Sequence, residues 1–328
     1  MVKKVSATKD KRPARVHYLR RPELETAEEK LSFLASHPMR GLDFDEVQPD
    51  KTHNWVNLTS NDFETLMPLA SKETKAAKTA GKERAIFKLF TNGVNTARDD
   101  WVYDFDGASL KHKLMFLIDS YNKEFETTKR RGRVDAKLVS KVIKWSAGLL
   151  GNVGRAPASP FSKSRVVQSA YRPFFALSYY ADPIFSDRLT GNHVDCFGSD
   201  FKLAPKCFAL TAPGASKTFS TLATKGIADW HFLGDTQLYP LTRTSNDCEV
   251  ENITDWALKQ FTAHYKEAAA GTAKAGASKV RKITKEAIFH YCYAVLHDPV
   301  YREKYAQNLK REFPRIPFYP DFWQWAAW

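Results

Sequence analysis

The sequence predicts an α+β protein with a central mixed or antiparallel sheet, flanking helices and a helical C-terminal appendage. Short apolar runs rich in aromatic residues recur between Tyr171 and Leu233, which is typical of β-strands. Apolar residues recur at helical spacing from Leu110 to Tyr121, and helix signals return beyond residue 283. Together these three observations define the predicted fold class.

The N-terminal region is basic and interrupted by prolines over residues 1–22, which indicates a linker. Thr26 and Glu29 have the spacing of a capping box, so we expect a helix to begin there. A second helix is predicted from Ser60 to Met67.

A polar loop lies between two predicted strands. Ala85–Thr91 is predicted to be a strand, Asn92–Gly93 a turn and Trp101–Phe105 a second extended segment. The helix from Leu110 ends at a run of basic residues, and another helix is predicted around Leu138–Trp145.

The C-terminal region contains a further set of helix signals. Thr254 begins one helix, and the low-complexity stretch after it indicates a flexible joint. Thr284 and Asp298–Pro299 begin two helices that we expect to form a hairpin. The sequence stops inside an aromatic helical segment, so we expect this last unit to be truncated. The predicted division is a basic linker and helix (1–55), a core (56–265), a joint (266–282) and a helical C-terminal unit (283–328).

The chain carries 50 Lys and Arg residues against 37 Asp and Glu residues, a formal net charge of +13. This excess favours an extended polyanion as partner, and DNA, RNA and an anionic membrane all fit it. The sequence has no run of about 18 apolar residues and no apolar segment after Met1, so it predicts neither a membrane span nor a signal peptide. We expect a cytoplasmic monomer without membrane contact.

The cysteines lack the spacing of a zinc site, and we expect them to be reduced thiols of the core. They are Cys196, Cys207, Cys248 and Cys292. No glycine-rich loop follows a strand, and the phosphate-cradling pattern GxxxxGK(S/T) does not occur. The sequence therefore predicts neither a cofactor nor a metal in this chain.

No catalytic constellation is evident. An adenine or cytosine-N4 methyltransferase needs an Asn/Asp-Pro-Pro-aromatic loop, but Asp182–Phe185 (DPIF) and Asp298–Tyr301 (DPVY) lack the second proline. His231 lies in the apolar string DWHFL and is expected to be structural.

A nuclease would need carboxylates and a lysine that converge on a metal. These residue types occur together at Asp99, Asp100, Asp104, Asp106 and Lys111. The Asp…Glu-x-Lys arrangement on adjacent strands is missing, and turn and cap roles account for the aspartates. We therefore predict no catalytic residue.

Forked and amide side chains in the predicted loops are candidates for reading base edges, because Arg pairs with guanine and Asn or Gln with adenine. They are Asn92, Asn95, Arg98, Arg172, Gln237, Arg243 and Asn246. For Arg98 the alternative is an ion pair with Asp100 or Asp104 that fixes the loop. Tyr171, Phe174 and Phe175, which surround Arg172, are expected to lie in the core.

A second set of cations is predicted to bind phosphates, which would supply affinity without sequence information. The set is Lys129, Arg130, Arg131, Arg133, Lys163 and Arg165. The alternative for the cluster at 129–133 is a solvated basic loop.

The aromatic residues of the last stretch have two possible roles, stacking on bases or forming an interface. They are Phe318, Tyr319, Phe322, Trp323, Trp325 and Trp328. We expect them to pack back on the sheet or against a missing neighbouring domain.

Four strings carry a resemblance to a known family: ARDDWVYDF, YRPF, HFLGDTQLYPL and ITKEAIFHYCYAVLHDPVYREKYAQNLKREFPRIPFY. In order and spacing they resemble the C-terminal specificity region, or target-recognition domain, of type ISP restriction-modification enzymes. The resemblance covers about residues 15–328 and includes none of the catalytic modules of that family.

The resemblance implies a module that reads duplex DNA and directs N6-adenine methylation and ATP-dependent translocation and cleavage by other domains. It implies methyltransferase and coupler domains as partners, with S-adenosylmethionine, ATP and Mg²⁺ bound elsewhere. The segment 1–55 would then join an absent upstream methyltransferase. Two rival functions stay open: a methyltransferase fragment with a residual catalytic role, and a protein–protein coupler.

Overall fold

The computed structural model describes residues 15–22, 24–50, 53–56, 59, 61–77, 81–246, 248–270 and 281–327, with the side chains of 267–270 excluded. The chain divides into two compact units, Met1–Asn61 and Asp62–Trp328. Ser60, Trp328 and most of the predicted joint lie outside the described residues. The predicted division into four segments stays a prediction.

The described residues of the first unit include a two-stranded sheet and a helix. Strands β1 (Val16–Tyr18) and β2 (Asp45–Val47) pair antiparallel, and helix α1 (Ala27–Ser36) lies between them in the chain. The predicted capping box is confirmed: the Thr26 backbone N–H donates to the Glu29 carboxylate at 2.7 Å, and the Glu29 N–H donates to the Thr26 hydroxyl at 3.3 Å. A 3₁₀ turn follows at Met39–Gly41.

The second unit mixes helices with short strands, which confirms the predicted α+β class. The α-helices of its described residues are α2 (Lys72–Ala76), α3 (Asp99–Val102), α4 (Gly107–Arg131), α5 (Ala147–Val153), α6 (Gly191–Phe197), α7 (Asp255–Ala270), α8 (Lys285–His297), α9 (Pro299–Lys304), α10 (Ala306–Leu309) and α11 (Phe322–Ala326). Two 3₁₀ turns lie at Phe63–Thr65 and Lys163–Arg165.

Its strands form several small antiparallel sheets. They are β3 (Met67–Pro68), β4 (Thr91–Asn92), β5 (Tyr103–Asp104), β6 (Val166–Arg172), β7 (Phe175–Tyr180), β8 (Lys206–Thr211), β9 (Thr221–Lys225), β10 (Thr236–Pro240), β11 (Thr242–Ser245), β12 (Cys248–Glu251) and β13 (Arg315–Ile316). The larger sheets have the orders β4-β10-β8-β9 and β5-β7-β6, and two pairs, β11-β12 and β13-β3, accompany them.

Helix α4 covers the three-stranded sheet through one apolar face. Leu110, Leu114 and Leu117 recur at helical spacing and are fully buried in a core that also contains Tyr103 and Tyr179. Each buried leucine contributes about 1.5–3 kcal/mol relative to an exposed one. The long helix predicted from this spacing is confirmed, and it ends where Gly132 adopts a positive φ of 71°.

A second core joins the four-stranded sheet to the C-terminal helices. Phe208 on β8 and Tyr239 on β10 pack with Phe87 and Phe289, their rings in edge or stacked contacts. The predicted cap and first-turn proline of α9 are confirmed, because the Asp298 carboxylate accepts from the Val300 N–H at 3.0 Å. None of the helices in the described ranges is long and apolar enough to cross a membrane.

Several predicted elements are wrong in detail. Most of Ala85–Thr91 is not a strand: Phe87 forms an isolated bridge with Ile253, and only Thr91–Asn92 pairs in a sheet. Trp101 lies in α3, because its N–H donates back to the Arg98 carbonyl at 2.9 Å and closes a helical turn.

The helix predicted around Leu138–Trp145 is also wrong. The segment consists of turns, and Leu138 and Val142 are 53% and 58% exposed instead of forming a buried face. Local bonds replace the helix: the Ser140 N–H donates to buried Glu124, and the Trp145 indole N–H donates to the Ser140 carbonyl at 2.6 Å.

The cysteines are free thiols. Cys196, Cys207 and Cys292 are buried, as expected for core thiols, whereas Cys248 is exposed on β12. Burial raises the pKa of the Cys196 thiol to about 12, which keeps it protonated and unreactive.

Buried Asn252 ties three segments of the second unit together. Its side-chain oxygen accepts from the Leu89 N–H at 2.9 Å, and its amide nitrogen donates to the carbonyls of Leu89 and Pro240 at 2.8 Å each. Because the residue is fully buried, these bonds have no competition from water.

We expect Asn252→Ala to lower the free energy of unfolding by about 2–4 kcal/mol, because it leaves backbone groups of Leu89 and Pro240 buried without partners. Asn92→Ala, at an exposed asparagine, is the control and should change stability by less than about 0.5 kcal/mol. Denaturant unfolding of both variants measures this. Equal stabilities would contradict the role given to Asn252.

Candidate nucleic-acid interface

A short segment, Ile227–Trp230, connects the two larger sheets, and we call it the bridging segment. On one side the Val94 N–H donates to the Ala228 carbonyl and the Trp230 N–H donates to the Val94 carbonyl, both at 2.8 Å. On the other side the Asp229 N–H donates to the Ala170 carbonyl on β6 at 2.8 Å. Residues from both sheets are therefore held in fixed register around Asp229.

Gly93 allows this connection to close. A Cβ at position 93 would lie 2.5 Å from the Asp229 carbonyl oxygen and 2.8 Å from the Trp230 Cα. Both are backbone atoms that cannot rotate away, so a larger residue would push the bridging segment off β4. The predicted Asn92–Gly93 turn is wrong; Asn92 is in β4 and Gly93 is the contact point.

The bridging segment places a buried carboxylate against an arginine on the next sheet. Asp229 is 1% exposed, and its Oδ1 accepts from Arg172 Nη1 and from the His231 backbone N–H, the latter at 2.8 Å. Arg172 is the last residue of β6 and its side chain is 39% exposed. The guanidinium is thus anchored at one end while part of it faces solvent.

Further contacts fix the orientation of the Arg172 side chain. Its Nη2 lies 3.6 Å from the Asp99 carboxylate, and its Nη1 also donates to the Tyr171 carbonyl at 2.6 Å. The guanidinium carbon lies 3.9 Å from the centre of the Tyr171 ring, and the Tyr171 hydroxyl donates to Asp99 at 3.2 Å. An arginine held on both sides loses little conformational entropy when it binds a further acceptor.

Burial and the neighbouring Asp99 charge raise the pKa of Asp229 to about 6. The His231 N–H and the positive charges of Arg172 and His231 act in the opposite direction but do not cancel the effect of burial. A carboxyl shifted this far within a cluster of charged groups is a mark of a functional site.

Two other predicted base readers lie opposite each other. Asn92 on β4 pairs in register with Gln237 on β10. Asn92 is exposed, whereas Gln237 is 8% exposed and its oxygen accepts from the Tyr239 hydroxyl at 3.3 Å. Asn92 therefore has the more accessible amide of the two.

The hairpin of β11 and β12 carries the predicted readers Arg243 and Asn246. Arg243 is half-buried, and its described hydrogen bond is a long one, 3.5 Å, from Nη1 to the Thr244 carbonyl. Asn246 is exposed at the hairpin end with φ of 49°. Positive φ is common for asparagine in turns, so this conformation by itself does not mark a contact.

Arg98 and Asn95 form hydrogen bonds within the protein. Arg98 is 2% exposed and donates to the Phe185 carbonyl and the Ser146 hydroxyl at 2.6 Å each. Its ion-pair partner is Asp187 at 3.3 Å, so the alternative partners Asp100 and Asp104 were wrong. Asn95 is half-buried and accepts from the Ala97 N–H in a local turn. A buried guanidinium cannot reach a base edge, which speaks against the role in base reading predicted for Arg98.

The basic cluster at 129–133 surrounds the end of α4 and is exposed. Arg131 pairs with Glu124 at 3.2 Å and Arg133 with Asp135 at 3.7 Å. Within the described residues, Lys129 and Arg130 have no carboxylate partner, although the Arg130 Nε donates to the Glu126 carbonyl at 3.3 Å. These two cations are the most available to a phosphate.

The remaining predicted phosphate ligands, Lys163 and Arg165, differ in whether a carboxylate pairs with them. Lys163 is exposed in a 3₁₀ turn before β6. Arg165 instead forms an ion pair with Asp182, which is 1% exposed. Removal of Arg165 would leave that carboxylate buried without its cation, so its first role is structural.

The histidine and acidic residues considered for catalysis have the following positions. No set of three metal-ligating side chains lies close together in the described parts of the chain. His231, expected to be structural, has an exposed side chain whose Nδ1 lies 3.8 Å from the Asp229 carboxylate. Asp104 pairs with Lys113 at 2.7 Å, and Asp106 caps α4.

The C-terminal aromatic stretch packs back on the protein, but its ring contacts are with helices α7 and α8, whereas the sheet was expected. Phe318 stacks on His264 at 4.2 Å between ring centres, and Phe322 stacks on Tyr291 at 5.1 Å. A cavity of about 850 Å³ lies beside them, with Trp323 and Arg281 on its wall. Arg281 covers the Trp323 ring at 3.8 Å.

The family model for the Type ISP C-terminal specificity domain matches residues 85–328. The chain belongs to the Type ISP C-terminal specificity domain family. The match includes β4, the bridging segment and Arg172, so the geometry described above is that of a specificity domain. Among curated proteins, none matches the chain.

Solved structures of larger proteins contain the same fold. DrdV, in a cryo-electron-microscopy structure of its complex with DNA, is 37% identical with a TM-score of 0.82, over 96% of this chain and 30% of that one. A nuclease-deletion mutant of the Type ISP enzyme LlaGI, in complex with a DNA substrate mimic, is 22% identical (TM-score 0.73; 95% and 23% covered). The ATP-dependent Type ISP enzyme LlaBIII, bound to DNA, is 20% identical (TM-score 0.69; 87% and 17% covered). This specificity domain spans less than a third of each.

Sequence reasoning selected Arg172 but missed Asp229, on which the orientation of Arg172 depends. Asp229 lies between apolar residues in the string GIADWHF, and an isolated acid in such a string was the available signal. The sequence prediction also placed Phe174 in the core, whereas its side chain is 91% exposed.

The raised pKa of Asp229 makes stability depend on pH in a defined direction. A carboxyl whose pKa is higher in the folded chain stabilises the fold below its unfolded pKa, near 3.8, and this contribution is lost as the pH rises through about 6. Asp229→Asn removes the titration and keeps an oxygen to accept from His231. Relative to the wild type, the variant should therefore gain up to about 3 kcal/mol of stability between pH 4 and pH 7.

Thermal or urea unfolding of the wild type and Asp229→Asn across this pH range measures the difference. A stability difference that stays constant, or that moves the other way, would show that Arg172 outweighs burial.

Proposed function

We propose that this specificity domain recognises a sequence in duplex DNA and directs the reactions of other domains to it. The observation that carries the proposal is an arginine held between two carboxylates at a strand end, in a chain that is 37% identical over 96% of its length to part of a protein solved with DNA. Those other domains would carry N6-adenine methylation and ATP-dependent translocation and cleavage. S-adenosylmethionine, ATP and Mg²⁺ would be bound there.

Arg172 is the first choice for a base-reading residue. A guanidinium pairs with guanine O6 and N7 through two donors in one plane, and Asp229, Asp99 and Tyr171 fix that plane here. Asn92 and Asn246 are exposed amides that would read adenine. Gln237 and Arg243 are less accessible and would need a local movement to reach a base.

Affinity would come from the basic cluster and the net positive charge rather than from these readers. Lys129 and Arg130 are exposed and are not paired with carboxylates in the described residues. Lys163 extends the set. Phosphate contacts of this kind hold the duplex without distinguishing sequences, so the two groups of residues would have separable effects.

Selection of bound duplexes from a random pool tests the proposal. The full chain should enrich one site and bind it more tightly than random duplexes. Equal affinity for enriched and random duplexes would contradict base reading and favour a protein–protein coupler. Transfer of a labelled methyl group from S-adenosylmethionine to DNA by this chain alone would contradict the proposal that it has no catalytic role.

The separation of affinity from specificity gives a quantitative prediction. Replacement of both Lys129 and Arg130 by Ala should weaken binding to all duplexes alike and reduce the slope of log affinity against log salt by about two. Arg172→Lys keeps the charge but loses the fork, so it should preserve the salt slope and lose about tenfold in preference at one base pair. Fluorescence anisotropy at several salt concentrations measures both.

Lys202→Ala with Lys206→Ala is the matched control, because it removes two cations that are already paired, with Asp200 and Glu286. It should change the salt slope little. A change of preferred sequence in the Lys129/Arg130 variant would refute the division of roles.

A further inference from the structure

The turn between β6 and β7 is an exposed aromatic tip. Phe174 is 91% exposed and Phe175 46% exposed, and Pro173 and Ala176 are exposed beside them. Phe105, 68% exposed, lies against Phe175 with ring centres 4.9 Å apart in an edge contact. Large apolar side chains exposed together at a protruding turn usually mark a contact with a partner.

The backbone of Phe174 is unfavourable for phenylalanine. The two-residue connection has proline first and a residue with φ of 64° second, and turns of this kind usually have glycine or asparagine in the second position. A residue with a Cβ has a strained backbone in this conformation. Because the Phe174 ring is almost wholly in solvent, packing of the ring does not offset that strain. Strain without a packing benefit indicates selection for another purpose.

The base of the tip is rigid. Arg172 and Phe175 close the hairpin as a register pair, and Arg172 is held by Asp229 and Asp99. The Phe105–Phe175 contact supports the tip from β5, the neighbouring strand of the sheet. Phe174 is thus a projecting ring on a fixed support, next to the arginine proposed to contact DNA.

We propose that Phe174 is a wedge that inserts into the base stack of duplex DNA beside the base pair contacted by Arg172. The inference deepens the proposed function and rests on it. Apolar side chains inserted at a base step unstack it and kink the duplex, so the protein would also distinguish sequences by how easily that step deforms. Support for the ring would come from Phe175 and Phe105, which stay outside the stack.

The test uses the full chain and the duplex enriched by selection, with 2-aminopurine placed at one position after another. Wild-type protein should raise the fluorescence at one step, because unstacked 2-aminopurine emits more strongly. Phe174→Ala should abolish this rise and weaken binding on the order of tenfold, the size of a lost stacking contact.

The Phe174→Gly variant distinguishes the loss of the inserted ring from a loss of folding stability. Glycine tolerates the positive φ, so this variant should have an equal or higher melting temperature while it loses the fluorescence rise as completely as the alanine variant. Val300→Ala removes an apolar side chain that is 69% exposed on α9, and as the control it should change neither signal.

The inference is overturned if both Phe174 variants keep the fluorescence rise and the wild-type affinity. It is also overturned if they bind DNA normally but lose association with the methyltransferase or coupler domains, since the tip would then be a protein contact. A wild-type chain that binds no DNA refutes the proposed function, and this inference with it. Wild-type binding without any fluorescence change refutes the wedge alone.

Discussion

The contact between the buried Asp229 carboxylate and Arg172 is the interaction on which the recognition site depends. Backbone bonds from both sheets place Asp229, and Gly93 allows the approach. Burial makes the charged form of the carboxylate costly, and Arg172 and the His231 N–H offset part of that cost. The fold thus uses a destabilising buried acid to hold one guanidinium in a defined orientation at the surface.

This arrangement assigns different physical tasks to different parts of the specificity domain. The end of α4 supplies exposed charge that, in the proposed function, would act through the salt-sensitive attraction to phosphates. The end of β6 supplies a fixed arginine and a projecting ring, which we propose act at short range on base edges and stacking. Because charge attracts any duplex and only the fixed groups distinguish sequences, preference should survive conditions that weaken affinity.

The sequence predicted features that depend on local patterns. The leucine spacing of α4, the capping box at Thr26 and the first-turn proline at Pro299 were all confirmed, since each needs only residues within a few positions. The fold class followed from the apolar runs and the helical spacing, and the family followed from strings such as YRPF.

Features that depend on distant partners were not predictable in the same way. Arg98 pairs with Asp187, 89 positions away, and this contact buries a side chain that the sequence predicted to be a base reader. Phe174 belongs to an apolar string that favours burial, and only the turn conformation places its ring in solvent.

A double-mutant cycle on Arg172 and Asp229 tests the central claim most directly. The measured quantity is the ratio of affinities for the enriched site and for random duplexes, in the wild type, Arg172→Ala, Asp229→Asn and the double variant. If Asp229 acts by orienting Arg172, the double variant should show the same ratio as Arg172→Ala, about tenfold below the wild type. Two results would contradict the account. One is a double variant whose affinity ratio falls by the product of the two single-variant losses; the other is an Arg172→Ala variant that keeps the wild-type ratio.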